Sequence, residues 1–144
     1  MKSFEVTGGR KLSGEITPQG AKNEALQVIC AVLLTGEEVT ISNIPDILDV
    51  NLLIEMISDL GVEVKRISAD TYSFNAADVL TDKIYDPDFL KKAMMLRGSV
   101  MLAGPLLARF RRSAIPRPGG DKIGRRRMDT HIIGLQKLGA NVDY

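Results

Sequence analysis

The densest chemistry in the chain lies in ten consecutive residues, Pro118-Gly119-Gly120-Asp121-Lys122-Ile123-Gly124-Arg125-Arg126-Arg127. Glycines at 119, 120 and 124 free the backbone for unusual angles and for close approach to a ligand. Arg125, Arg126 and Arg127 offer planar donor forks that match phosphate or carboxylate. Asp121 is the one acid between Arg97 and Arg127; it either relieves the charge of its neighbours or moves a proton. A second candidate is Gly20-Ala21-Lys22-Asn23-Glu24, at an expected helix start. Unpaired N–H groups there favour an anion, Lys22 adds positive charge, and Asn23 both donates and accepts hydrogen bonds. The alternative for this pair is plain solvation.

Charge is distributed unevenly around these residues. Residues 1–96 carry nine Lys/Arg against fifteen Asp/Glu, whereas residues 97–127 carry nine against Asp121 alone. So dense a basic stretch faces either solvent or an anion: a nucleic acid, a membrane surface or a phosphorylated small molecule. Aromatic residues are only 5% and tryptophan is absent, which leaves few stacking platforms for nucleic acid. The 44% apolar and 26% charged residues are those of a soluble globular protein, and 144 residues suffice for one domain with a core. The longest apolar run, Ala25–Leu34, falls well short of the roughly 20 residues of a membrane span. A single cysteine, Cys30, excludes an internal disulfide and points to a reducing compartment, the cytoplasm. Neither a cofactor nor a metal is expected.

The elements that must carry these residues read as α+β. Strands are expected at Ser3–Thr7 and Lys11–Ile16, joined at Gly8-Gly9, with Gly14 as a bulge. Ala25, Leu26, Ile29, Cys30 and Leu33 recur at helical spacing and predict a helix over 21–34, closed by Gly36. A strand at Val39–Ile44 stops at Pro45. The next helix buries Leu52, Leu53, Met56, Ile57 and Leu60, starts at a cap on Asp49 or Asn51, and ends at Gly61. Strands follow at Val62–Ile67 and Thr71–Asn75. Asp86-Pro87-Asp88 opens helical pattern that runs to Phe110, broken at Gly104-Pro105. A strand at Arg112–Ile115, a helix over 128–138 closed by Gly139, and a strand from Asn141 complete the pattern. Met94, Met95 and Met101 read as helix core, and Lys91-Lys92 as a solvated face.

Two copies of one unit emerge. Helix, strand, Ile44-Pro45, loop, helix, Leu60-Gly61 recurs with Ile115-Pro116 and Leu138-Gly139. The first pairs lie 71 residues apart and the second 78, so the later copy holds seven extra residues, and they fall in the Gly/Arg-rich loop. Added loop length on a repeated scaffold is a frequent seat of function.

Four segments, in order and spacing, carry a family resemblance: Lys22-Asn23-x-Ala25-Leu26; Met95-Leu96-Arg97-Gly98-Ser99; Gly104-Pro105-Leu106-Leu107-Ala108-Arg109; and Pro118-Gly119-Gly120-x-x-Ile123-Gly124-x-Arg126-x-x-Asp129-x-His131. Together they resemble the enolpyruvyl transferases, and within them the branch acting on UDP-N-acetylglucosamine; the shikimate-phosphate branch is a poorer match around the Pro-Gly-Gly loop. The resemblance implies an inside-out α/β barrel of repeated β-α units, of which this chain is an incomplete domain and about the first third of the enzyme. It assigns residues 1–20 to the second domain and residues 21–144 to the first two repeat units of the first. The missing C-terminal part would supply an aspartate base and further arginines.

The resemblance also implies a reaction: enolpyruvyl passes from phosphoenolpyruvate to the sugar 3-hydroxyl, releasing phosphate, at the start of peptidoglycan synthesis. Lys22, Asn23 and Arg126 match residues that contact phosphoenolpyruvate. Arg97, Arg126, Arg127, Met128, Asp129 and Thr130 match the nucleotide-sugar side. Asp121 matches the catalytic loop residue, with Lys22 as the second catalytic group. Most members carry cysteine at that loop position and some aspartate, so resistance to the cysteine-alkylating epoxide fosfomycin is expected. Neighbouring guanidiniums hold a carboxyl ionised; bound phosphate would reverse this and let Asp121 act as an acid on loop closure. His131 is read as positioning the loop–helix junction, and Cys30 as core. The fragment alone is expected to turn over little. The alternative is a nucleic-acid-binding or RNA-cyclase-like module using residues 97–127.

Overall fold

The helical spacing of Ala25, Leu26, Ile29, Cys30 and Leu33 is realised as α1, Lys22–Ala31, continued by a 3-10 turn at Val32–Leu34, with all five side chains buried. The computed structural model describes residues 3–117 and 127–143. α2, Leu48–Asp59, buries Val50, Leu53, Met56 and Ile57, and Leu60 follows them inward; Leu52 is half-buried against the same core. Ile47 takes the N-cap position, so Asp49 and Asn51 lie within the helix and neither caps it. Asn51 Nδ2 instead donates to Asp46 Oδ1 at 2.8 Å. Gly61, at φ +90°, turns the chain out of α2, and an added Cβ would come within 2.9 Å of the Asp78 carbonyl oxygen.

Three short strands form one antiparallel sheet in the order β1-β3-β2: β1 Glu38–Ile41, β2 Glu63–Arg66 and β3 Tyr72–Asn75. Val39, Phe74 and Val64 fall in register across it, and Phe74 is fully buried. Alternate positions point to the same face, so Tyr72 stacks on Phe74 with ring centroids 6.2 Å apart. β1 ends before the expected Ile44 because Asn43 enters the left-handed region at φ +59°. Ile44 N–H then donates to the Asp70 carbonyl at 2.8 Å.

α3, Pro87–Met95, starts as its sequence requires: Asp86 Oδ1 accepts from the Asp88 N–H at 2.9 Å and Pro87 occupies the first turn. Phe89, Ala93 and Leu96 are its buried stripe. The helical run breaks at Leu96, whose backbone is extended (φ −113°, ψ 113°), and not at Gly104-Pro105. A 3-10 segment, Arg97–Leu102, then leads directly into α4, Ala103–Phe110. Pro105 sits in the first turn of α4, a position that helices tolerate. α5, Asp129–Lys137, closes at Leu138 and Gly139 (φ +98°), as α2 closes at Leu60 and Gly61.

The strands that the sequence predicts at Ser3–Thr7, Lys11–Ile16 and Arg112–Ile115 and from Asn141 are absent among the described residues. Their alternating pattern is real, yet a strand needs a neighbour to satisfy its backbone groups, and none pairs with them here. Helices and sheet share one core, with Ile29, Leu53, Ile57, Phe74, Phe89 and Leu106 among its members, so the class is mixed α/β. Among the described residues, no helix is long and apolar enough to cross a membrane, and no group of three or more His, Cys, Asp or Glu could hold a metal.

Candidate active site

The start of α1 is placed by a glycine. A Cβ on Gly20 would stand 1.9 Å from the Asn43 carbonyl oxygen, so only glycine lets the chain entering α1 lie against the end of β1. Lys22 and Asn23 then form the first turn of α1. Lys22 Nζ reaches Asp49 Oδ2, in the first turn of α2, at 2.7 Å. No side-chain hydrogen bond caps either helix. Two helix starts therefore bring backbone N–H groups and partial positive charge to one place.

Arg97 is placed by its neighbours on either side. Leu96 is buried, anchoring the break after α3. Ser99 is buried too, and its hydroxyl donates to the Ala93 carbonyl at 2.8 Å, tying the 3-10 segment to the end of α3. Gly98 brings that segment against α1: a Cβ there would lie 3.0 Å from Leu26 Cδ1. The half-buried Arg97 is left beside Lys22 and Asn23.

These residues line one open cleft of about 450 Å³ with Leu26, Gln27, Asp49, Met95, Gly98, Val100, Met101, Arg127, Met128 and His131. Among the described residues, Lys22, Arg97 and Arg127 set three cations against the one carboxylate of Asp49, an arrangement suited to an anion. Arg127 is held at the start of α5, its Nε donating to Asp129 Oδ2 at 2.7 Å. That hydrogen bond holds the Asp129 carboxyl below the ordinary aspartate range. Met128 occupies the N-cap position of α5. Asp129 and Thr130 lie in its first turn and are not among the lining residues. Asp121 and Arg126 lie outside the described residues, with the rest of 118–126.

Several sequence readings change here. Met95 and Met101, expected in the core, are exposed and line the cleft, and Met94 is exposed as well. The buried stripe of α3 runs through Phe89, Ala93 and Leu96, so Met94 and Met95 fall off it. Beyond Leu96 the 3-10 segment, at three residues per turn, abandons the helical phase that placed Met101 inward. Lys92 is not simply solvated: its Nζ lies 2.6 Å from Asp59 Oδ2 and 3.7 Å from Glu55 Oε2. His131 keeps its place beside the start of α5, its N–H donating to the Met128 carbonyl at 3.0 Å, and it also lines the cleft. Cys30 is core, and burial pushes its thiol up to about 12. Asp49 and Gln27 were missed as site residues; nothing local marks Asp49, whose partner is 27 positions away.

Arg109, in the Gly-Pro-Leu-Leu-Ala-Arg segment, serves the scaffold. Its Nη1 donates to the carbonyls of Leu33, Thr35 and Ala76 at 3.1, 2.8 and 2.7 Å, and its guanidinium lies 4.9 Å from the centre of the Phe110 ring.

The chain is thus a mixed α/β fold whose helix starts and arginines converge on one open basic cleft. Residues 6–144 match the family described as EPSP synthase (3-phosphoshikimate 1-carboxyvinyltransferase), and the chain belongs to that family. It is 61% identical over 144 residues to a UDP-N-acetylglucosamine 1-carboxyvinyltransferase of Bacteroides fragilis, covering 100% of this chain and 33% of the relative. Enzymes of the same name from Bradyrhizobium diazoefficiens and Borreliella burgdorferi are 44% and 42% identical, over 96% and 99% of this chain and 31% and 32% of theirs. Among solved structures, the enolpyruvyl transferase NikO from Streptomyces tendae is similar, with a TM-score of 0.53 and 25% identity, over 71% of this chain and 23% of its own. The chain thus spans about a third of the length of these curated relatives, and its architecture is that of an incomplete enolpyruvyl transferase domain.

Proposed function

We propose that this chain is the N-terminal part of an enzyme that transfers enolpyruvyl from phosphoenolpyruvate to the 3-hydroxyl of UDP-N-acetylglucosamine, releasing phosphate. The observation that carries this reading is the convergence of Lys22, Asn23, Arg97 and Arg127 on one cleft, from three separate stretches of a chain 61% identical to an enzyme so named. The reaction adds the sugar hydroxyl, which gives its proton to a base, to C2 of phosphoenolpyruvate while C3 gains a proton; C3 then loses a proton as the C2–O bond to phosphate breaks, which restores the double bond and releases phosphate. Such chemistry requires cations that neutralise phosphate and carboxylate and stabilise developing charge. Lys22 and Asn23 would hold phosphoenolpyruvate with Arg126; Arg97, Arg126, Arg127, Met128, Asp129 and Thr130 would take the nucleotide sugar. Asp121 would protonate C3, gaining its own proton as the loop closes and phosphate pairs with the arginines.

In this reading residues 1–20 pack on the second domain, residues 21–144 are the first two repeat units of the first, and the reaction serves peptidoglycan synthesis, and with it cell shape and division, in the cytoplasm. The relatives and the solved structure quoted are all named as carboxyvinyl or enolpyruvyl transferases, which favours a small-molecule substrate over nucleic acid. The test is phosphate release by the complete enzyme that carries this chain. Release should require phosphoenolpyruvate and UDP-N-acetylglucosamine together. Release with shikimate 3-phosphate as acceptor instead would move the protein to the other branch, and release with neither acceptor would end the proposal.

A further inference from the structure

Asp49 is out of place in the cleft. Among the described residues, every other charged side chain lining it is a cation, and a carboxylate there opposes the arrival of any phosphate. Its one close charged partner among the described residues is Lys22, at 2.7 Å. The pair contributes little to the fold, since the two side chains are 46% and 40% exposed and such surface pairs are weak. What the pair does fix is direction. A lysine ammonium rides on a flexible four-carbon stem, whereas Asp49 is short and stands on the first turn of α2. The backbone there is held by Val50 and Asn51 N–H groups donating to the Ile47 carbonyl at 3.1 and 3.0 Å.

We propose that Asp49 is a positioning residue that acts through Lys22, holding its ammonium over the cleft so that the phosphorylated substrate meets a charge already aimed. The assignment rests on the proposed enolpyruvyl transfer and adds to it a residue that local sequence signals do not mark. Ordering a flexible group before the substrate arrives removes that cost from the reacting complex. Repulsion between Asp49 and the phosphate is offset because Lys22 stays between them.

The experiment is a double-mutant cycle in the complete enzyme, read as kcat and KM for phosphoenolpyruvate by phosphate release, with thermal unfolding of each variant. Asp49→Ala should lower kcat/KM about a hundredfold, with a melting temperature close to that of the parent. Asp49→Asn, whose amide oxygen still accepts from the ammonium, should fall between parent and Asp49→Ala. The decisive comparison is Lys22→Ala/Asp49→Ala, which should be no slower than Lys22→Ala alone. If Asp49→Ala folds poorly, Lys22→Ala/Asp49→Asn gives the same comparison. Asp49→Ala within twofold of the parent, or penalties that multiply in the double variant, would overturn the assignment while leaving the proposed function standing. A parent enzyme that releases no phosphate from the two substrates would overturn both.

Discussion

At the scale of single residues, the arginines of this chain divide by what their donors touch. Arg109 spends one nitrogen on three backbone carbonyls, at the end of the turn after α1 and at the exit of β3. Charge-assisted hydrogen bonds of this kind contribute about 1.5–3 kcal/mol. Arg109→Ala should therefore lower the unfolding free energy of the chain by at least about 2 kcal/mol, measured by urea titration. Lys22→Ala should change it by less than about 1 kcal/mol, because its ion pair with Asp49 is exposed. Equal losses would mean that the cleft lysine is structural. Cys30 gives a second contrast. Its thiolate is the reactive form, and a thiol pushed up to about 12 inside the core is scarcely ionised near neutral pH. The folded chain should resist a water-soluble thiol reagent and should gain no adduct on exposure to fosfomycin, while the unfolded chain reacts with the thiol reagent stoichiometrically. Mass spectrometry showing a native-state adduct at Cys30 would contradict its burial.

At the scale of elements, the tie between α2 and α3 is electrostatic at its rim. Asp59, and more distantly Glu55, hold Lys92 above the ordinary lysine range, chiefly through the hydrogen bond from Nζ to Asp59. A raised folded-state value stabilises the fold in full below the unfolded lysine value of about 10.4 and loses that contribution as pH rises through the folded one. The parent should therefore melt above Lys92→Met by a constant margin from pH 8 to about 10, and the margin should close at higher pH. A margin that widened with pH would reverse the assignment. The same elements show what sequence can reveal. α1, α2 and the start of α3 were legible because their apolar stripes, their glycine stops and the Asp86-Pro87 cap are local signals. The Arg112–Ile115 strand was misread because alternation records a strand's faces and not the neighbour it needs. Met95 and Met101 were misread because periodicity assumes one continuous helix, and the break at Leu96 resets the phase. The cleft was legible in part for a similar reason: Lys22, Arg97 and Arg127, which line it, stand in compact motifs, whereas Asp49 becomes a lining residue only when α2 folds against α1.

At the scale of the whole molecule, the opening segment is set apart from everything described above. Residues 3–19 are all exposed, with Phe4 97% and Leu12 92% accessible, and they add no side chain to the core. Apolar side chains left in water contribute nothing to stability, since the hydrophobic gain comes only with burial. Yet Phe4, Val6, Leu12 and Ile16 keep the spacing of strands with one apolar face, which fits the proposed packing of residues 1–20 on a second domain. The two circumstances call for opposite outcomes from one deletion. In the 144-residue chain, removing residues 1–19 should leave the melting temperature within about 2 °C, because little buried surface is lost. In the complete enzyme the same deletion should lower it well beyond that and reduce phosphate release, because the strands would then leave a gap in a sheet. Scanning calorimetry of the four proteins decides between the alternatives. A large loss in the short chain would mean that residues 3–19 pack on the described core after all, and no loss in the complete enzyme would remove the proposed division at residue 20.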